Sequence, residues 1–395
     1  SLILTSALSS VYLLPAISAT NLSDREKGIK VSKILNEFPF MPENLLTFLN
    51  PFTLGKPSDG TYKYIKEPDK KGIFWENTAY FGLLPFIFAI GGIIYLNHKR
   101  NNKIATSLVI LAVITTLLAL GKSAPLHFVF SFPPLNYFRV PARFILFAQI
   151  FLIIISSFFV DKTLKKVKNK LSIALTSILY LILIADFFTK WWSYNPIGNI
   201  DEWSKKPEIL LPIDPTIETG YQFFTIGSNE IWNEIFINYG WQKNLDNFKF
   251  FLNAVEPNTN VFFNVSHLGG YQILSTKRQN VQQLLIKENI QKKDNEILIN
   301  DVSKKALNVF GVKYLISTKP INSSGFTEIN RISKEKNSFY LYENDNPKEK
   351  FQLYYDYLLI NHLSDYLNAF RDSDIQNVVF VENPLNLANN EEPGS

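Results

Sequence analysis

Two arginines four positions apart, Arg139 and Arg143 in FSFPPLNYFRVPARFILF (130–147), stand where a long apolar run begins. Pro141 between them suits the first turn of a helix, because it has no amide hydrogen to leave unsatisfied and its φ is already close to helical. Arg143 then falls inside that first turn and Arg139 just before it. A helix start presents unpaired N–H groups and the positive end of the dipole, so two guanidinium groups there repel each other unless an anion joins them. Planar, bidentate forks match a phosphate well. The same two side chains could instead snorkel to lipid headgroups and set the depth of the helix, so both roles remain open.

Asp186, in LILIADFFTKWW, is the other ionisable residue inside an apolar run. A carboxylate at the centre of a bilayer costs roughly 2.5–3.5 kcal/mol, which makes it a functional candidate. Lys190 follows four positions later, and an intrahelical ion pair is the plainer expectation. Glu76 and Asn77 in WENTAY, and Arg25 and Lys27 in LSDREKG, stand at the ends of other apolar runs. Together with Arg139 and Arg143 they would line a cavity that a lipid-linked phosphate could enter sideways from the bilayer, with Glu76, Asn77 and Asp186 on the substrate side.

Other chemistries find no support. The chain has no G-x-x-x-x-G-K-[ST] loop, no H-E-x-x-H, no G-x-S-x-G and no cysteine. His98, His127, His267 and His362 have no partner at ligand spacing, so no metal site is readable, and the residues do not identify a cofactor.

Four nearly uncharged runs, Thr78–Leu96, Ile104–Leu120, Ala142–Val160 and Leu171–Ala185, approach the roughly 17–25 residues that a spanning helix needs. Residues 1–19 form a further apolar run. With no initiator Met and no basic leader, it is expected to be a truncated apolar helix of a longer protein rather than a signal peptide. Two short basic loops, at 97–103 (NHKRNNK) and 161–170 (DKTLKKVKNK), are expected in the cytosol by the positive-inside rule. That places loop 21–77 on the outer side, with Trp75, Tyr80, Trp191, Trp192 and Tyr194 at the outer headgroup level. Around Glu43–Leu49 the spacing predicts a short amphipathic helix at the interface. The formal net charge of +5 comes mostly from the inner loops, so it is an orientation signal and implies no nucleic-acid partner.

From residue 195 to 395 the pattern becomes that of a folded polar domain. TGYQFFTIG, KYLISTK, SFYLYEN, FQLYYDY and NVVFVEN read as strands. NEIWNEIFINYG, RQNVQQLLIKENI, VSKKALNVFG and LSDYLNAFRDS read as helices. The expected fold is therefore an α-helical transmembrane domain, 1–194, of four complete spans plus one truncated apolar helix, followed by an extracytoplasmic mixed α/β domain, 195–395.

Several of these segments, in order, resemble the YfhO-type bacterial multispanning membrane proteins, which are similar to GT-C class glycosyltransferases. VYLLPAISATNLSDREKG resembles the family's proline-bearing span and the loop after it. NLLTFLNPFTLGKPSDGTY, FWENTAYFGLLPFIFAI, FRVPARF and ADFFTKWWSYNP resemble its later membrane segments, and ALNVFGVKYLIS and FYLYENDNPKEKFQLYY its soluble strands. The resemblance implies a multi-pass protein of the bacterial cell membrane, lacking both ends here. It would transfer a sugar from a polyprenyl-phosphate donor to a cell-envelope polymer on the outer face. The class carries its catalytic acid in the first large outer loop, upstream of this chain, so no catalytic residue is assigned. A non-enzymatic factor that transports or presents envelope polymers, or a partner-docking role for the outer domain, would fit the same residues.

Overall fold

The computed structural model describes residues 2–23, 25–36, 38–63, 73–98, 103–167, 169–214, 220–241, 245–270, 275–287, 289–349, 351–360, 362–372 and 378–384. Most of the basic loop at 97–103, residue 168 of the second basic loop and residues 64–72 of loop 21–77 lie outside them. The chain forms two compact units. A helical unit comprises Lys27–Gly198 with Asn233–Leu245, and an α/β unit comprises Ser1–Glu26, Asn199–Trp232 and Asp246–Ser395.

The apolar sequence lies in helices α1 (Leu2–Asn21), α2 (Leu83–His98), α3 (Lys103–Ala119), α4 (Phe144–Leu164) and α5 (Asn169–Trp191). With the 3-10 turn Pro141–Arg143 before it, α4 becomes a 24-residue apolar helix, and α5 has 23 residues. These two are long and apolar enough to cross a membrane. The apolar stretches Leu83–Leu96 and Lys103–Ala119 are shorter, about 20–26 Å at the helical rise, against a hydrocarbon core of about 30 Å. Hydropathy alone starts the first of the four runs at Thr78, yet the helix begins only at Leu83. Residues 77–82 pack as irregular chain, with Gly82 at φ 104 and the Ala79 amide donating to Thr47 Oγ1 at 2.9 Å.

Packing in the helical unit centres on α4, against which α2 and α3 both lie. A Cβ on Gly91 would come within 2.9 Å of the Phe159 ring, and one on Gly92 within 2.7 Å of Ile155 Cγ2. Glycine thus lets the two backbones approach, as small residues do wherever there is little hydrophobic gain from hiding one apolar helix against another. On α3 the buried positions are Ala105, Ala112 and Ala119, one small residue every two turns. No residue of α5 is buried, and Leu181, Ile184 and Phe188 are among its many exposed apolar side chains. A surface of that kind is expected in lipid rather than in water.

The 3-10 helix Pro42–Phe48 occupies the place of the expected interfacial helix and inserts Phe48 beside Phe40, Ala79, Phe81, Val140 and Ile145. A second aromatic cluster joins Phe52, Tyr62, Phe74, Trp191 and Tyr194. Trp241 joins it, its Nε1 donating to the Tyr194 carbonyl and its amide to the Ser58 carbonyl at 2.7 Å. This anchors 233–245 in the helical unit. Conversely, Ser23 bridges Thr276 and the Lys277 amide donates to the Leu22 carbonyl at 3.1 Å, so the end of α1 belongs with the α/β unit.

The α/β unit is built on a mixed four-stranded sheet of order β1-β4-β6-β5, formed by β1 (Gln222–Ile226), β4 (Val312–Ser317), β5 (Phe326–Lys334) and β6 (Asn337–Asn344). β1 and β4 are parallel, and the other pairs are antiparallel. Two small sheets complete it: antiparallel β2 (Ile290–Lys292) with β3 (Ile297–Ile299), and parallel β7 (Asp356–Leu359) with β8 (Val378–Val381). Helices α6 (Ser228–Asn238), α7 (Lys277–Lys287), α8 (Asp301–Val309) and α9 (Leu363–Asp372) fall where their spacing predicts. The core packs Phe224, Leu285, Leu307, Leu315, Tyr342 and Phe370 together. One expectation shifts: FQLYYDY is not a strand along its length. Only Asp356 and Tyr357 of it enter β7, while Phe351, Leu353 and Tyr355 stand exposed at 84%, 87% and 92%.

Candidate functional site

Arg143 lies in the turn that Pro141 opens at the head of α4. Its Nε donates to Glu76 Oε1 and Oε2 at 3.0 and 3.1 Å, and its Nη2 donates to Oε1 at 2.7 Å. Glu76 comes from the turn 74–77, held by the bond of its own amide to the Ile73 carbonyl at 3.1 Å. Its carboxylate is mostly covered, with a side-chain exposure of 15%, whereas the Arg143 side chain is 65% exposed. The anion that the arginine pair calls for is thus supplied, for Arg143, by the chain itself. One edge of the guanidinium fork is closed on Glu76 and the remainder points outward.

Arg139 is half-buried in the extended segment between the 3-10 turn Leu135–Tyr137 and Pro141. Gly28 and Ile29 pack beside that turn. The Ile29 amide donates to the Asn136 carbonyl at 2.9 Å, and Gly28, at φ 76, has room only for hydrogen against Asn136. Lys27, exposed and next to Gly28, is therefore tied to the loop that leads into Arg139. Arg25 groups with the α/β unit, apart from Lys27, Arg139 and Arg143 in the helical unit.

Asp186 does not take the intrahelical partner expected for it. Its two carboxylate oxygens each lie 2.5 Å from the Tyr80 hydroxyl, and Oδ2 accepts the Leu83 amide at 3.0 Å. The Leu83 amide is one of the four that α2 cannot satisfy internally, and a carboxylate is favoured at that end of the helix dipole. Two bonds to well-placed donors outweigh a solvent-exposed pair with Lys190, which would contribute only about 0.3–0.5 kcal/mol. Asn77 is buried, its Nδ2 donating to the Pro39 carbonyl at 3.4 Å, and its Oδ1 accepts no hydrogen bond among the described residues.

The candidates accordingly form two separate pairs, Arg143 with Glu76 and Asp186 with Tyr80, rather than one cluster. Among the described residues no group of three His, Cys, Asp or Glu side chains converges as a metal would require. The sequence reading placed Tyr80 only as a headgroup-level aromatic, and no local signal links it to a carboxylate 106 positions away. Near the same end of α5, burial among Phe52, Phe74 and Trp191 pushes the Tyr194 hydroxyl up to about 12. No family model, curated protein or solved structure matches the chain.

Proposed function

We propose that this chain is part of a multi-pass protein of the bacterial cell membrane that takes a sugar from a polyprenyl-phosphate donor and passes it to a cell-envelope acceptor. In this reading α2 to α5 are four spans, the basic loops are cytosolic, and the α/β unit lies on the outer side. The observation that carries it is the setting of Arg143. A cation at the head of a 24-residue apolar helix is oriented by a covered carboxylate, leaving donors directed away from that partner. Such a fork can take a headgroup phosphate at the membrane boundary without reorganising, and Arg139, four residues earlier, adds a second positive charge.

Loss of a lipid phosphate from a sugar requires cations for the developing phosphate charge and an acid or base at the acceptor. The arginines fit the first role. The same arginines would serve a second reading, a non-enzymatic factor that holds or presents lipid-linked polymers, because Glu76 and Asp186 are engaged by partners within the helical unit and the acid of the enzyme class would lie upstream. One experiment tests the shared part. Arg139→Gln/Arg143→Gln in the full-length protein, reconstituted in nanodiscs, is expected to lose binding of undecaprenyl phosphate while still inserting normally. Unchanged binding overturns the proposal, and a sugar-transfer assay on the wild type separates the two readings.

A further inference from the structure

The carboxyl end of β1 opens onto a cavity of about 580 Å³ that lies wholly within the α/β unit. Gly227 forms the turn from β1 into α6 with φ 88, and a Cβ there would stand 2.2 Å from Thr318 Oγ1. Only glycine fits, so strand and helix are joined by a bare backbone at the wall of the cavity. Clefts at this end of a strand in α/β sheets are where ligands commonly bind.

The chemistry of the wall narrows the ligand. A helix start attracts an anion. Here the chain fills that place itself, because the Glu256 carboxyl bonds the Ser228 side chain at the first turn of α6. Lys292, also on the wall, is paired with Glu230 at 3.0 Å, and Lys319 reaches the same carboxylate at 3.7 Å. His267 is a finished structural element. Its Nδ1 accepts the Gly269 amide at 2.9 Å, and its Nε2 lies 3.2 Å from Thr225 Oγ1, which in turn donates to the Ala254 carbonyl at 2.7 Å.

What remains toward the open space is a set of mixed donors and acceptors. The side chains of Asn229 and Asn258 make no hydrogen bond among the described residues, and Lys287 donates to Gln283 at a long 3.5 Å while its charge acts on the Glu256 carboxyl. Amides offer both N–H and C=O, which matches hydroxyl groups that donate and accept at once. A strongly anionic ligand would instead meet the Glu256 carboxylate.

We infer that this cavity is a saccharide-binding site, with Asn229, Asn258 and Gln283 paired to ring hydroxyls and Glu256 and Lys287 fixing the orientation of the sugar. The volume is in the range of small-molecule clefts. The inference stands without the membrane-site reading, since every residue in it belongs to the α/β unit.

The test is saturation-transfer-difference NMR on the full chain in detergent, with glucose, galactose, mannose and N-acetylglucosamine as probes and inorganic phosphate as the competing anion. Transfer to at least one sugar is expected, with affinity about tenfold weaker in Lys287→Met and in Asn258→Gly, which keeps the φ of 80 without strain. Phosphate is expected not to compete. The variants should retain undecaprenyl-phosphate binding, so the two sites fail or succeed separately. Absence of transfer to all four sugars, transfer unaffected by both substitutions, or displacement by phosphate would each overturn the assignment.

Discussion

Tyr80 and Asp186 meet through both oxygens of the carboxylate at 2.5 Å, and the same carboxylate closes the first turn of α2 through the Leu83 amide. A residue of α5 therefore supplies the cap of α2. Hydrogen bonds to a charged group contribute about 1.5–3 kcal/mol in water-soluble proteins and less between apolar helices. Tyr80→Phe and Asp186→Asn should each lower stability by about 1–2 kcal/mol, and the double substitution by less than the sum, because they remove one shared contact. Denaturant unfolding in mild detergent measures the cycle; strict additivity would show that the contact contributes nothing.

The Arg143–Glu76 pair should behave differently. Its cation is largely exposed, so solvent screens the attraction and Glu76→Gln should cost under about 1 kcal/mol of stability. The loss should shrink further as salt is raised. Thermal unfolding at low and high ionic strength checks both statements, and a loss of several kcal/mol independent of salt would contradict them.

Close approach of α2 and α4 rests on Gly92. Gly92→Ala places a methyl 2.7 Å from Ile155 Cγ2 and 3.0 Å from the Ile155 carbonyl oxygen, and backbone cannot yield as a side-chain end can. A cost of about 1–3 kcal/mol is expected, outweighing the helix-propensity gain of alanine. Gly220→Ala, which meets nothing within 4 Å, is the neutral control in the same melting experiment.

Burial holds His267 well below the ordinary imidazole value of 6.5, at about 4. The unfolded chain therefore binds a proton near pH 6.5 that the folded chain refuses until about pH 4. Above pH 6.5 the residue adds no pH dependence. Between those values stability should fall with falling pH, by about 1.4 kcal/mol per unit where only the unfolded form is protonated. Denaturation midpoints of the wild type and His267→Gln, compared from pH 7 to pH 4.5, isolate this slope.

Much of the α/β unit is legible from residue pattern. Runs such as KYLISTK and SFYLYEN carry β-branched and aromatic side chains because β4 and β6 are central strands with buried faces. β5 escapes notice because it is an edge strand in which no residue of FTEINRISK is fully buried. β2 and β3 are too short, at three residues each, for alternation to register. At the candidate site, Pro141 and Arg143 reveal a helix start locally. Their partner Glu76 lies 67 residues away and Asp186 pairs across 106, distances over which a single sequence carries no pairing signal. The expected Asp186–Lys190 pair shows the bias that follows, since only near neighbours are visible.

The parallel pairing of β1 with β4 also sets an order of events during folding. Strands β5 and β6 form a hairpin, and β4 pairs with β6 across the intervening β5, so all three can assemble once Val312–Asn344 has been made. β1 emerges from the ribosome far earlier, and its partner edge does not exist until Val312–Ser317 has been synthesised. Until then the apolar QFFTI segment has only the bridge from Phe223 to His267 and its β4 edge stays open, the slow and aggregation-exposed step expected of nonlocal strand pairing. Truncation products ending before β4 should accordingly be the ones that cells degrade or hand to chaperones.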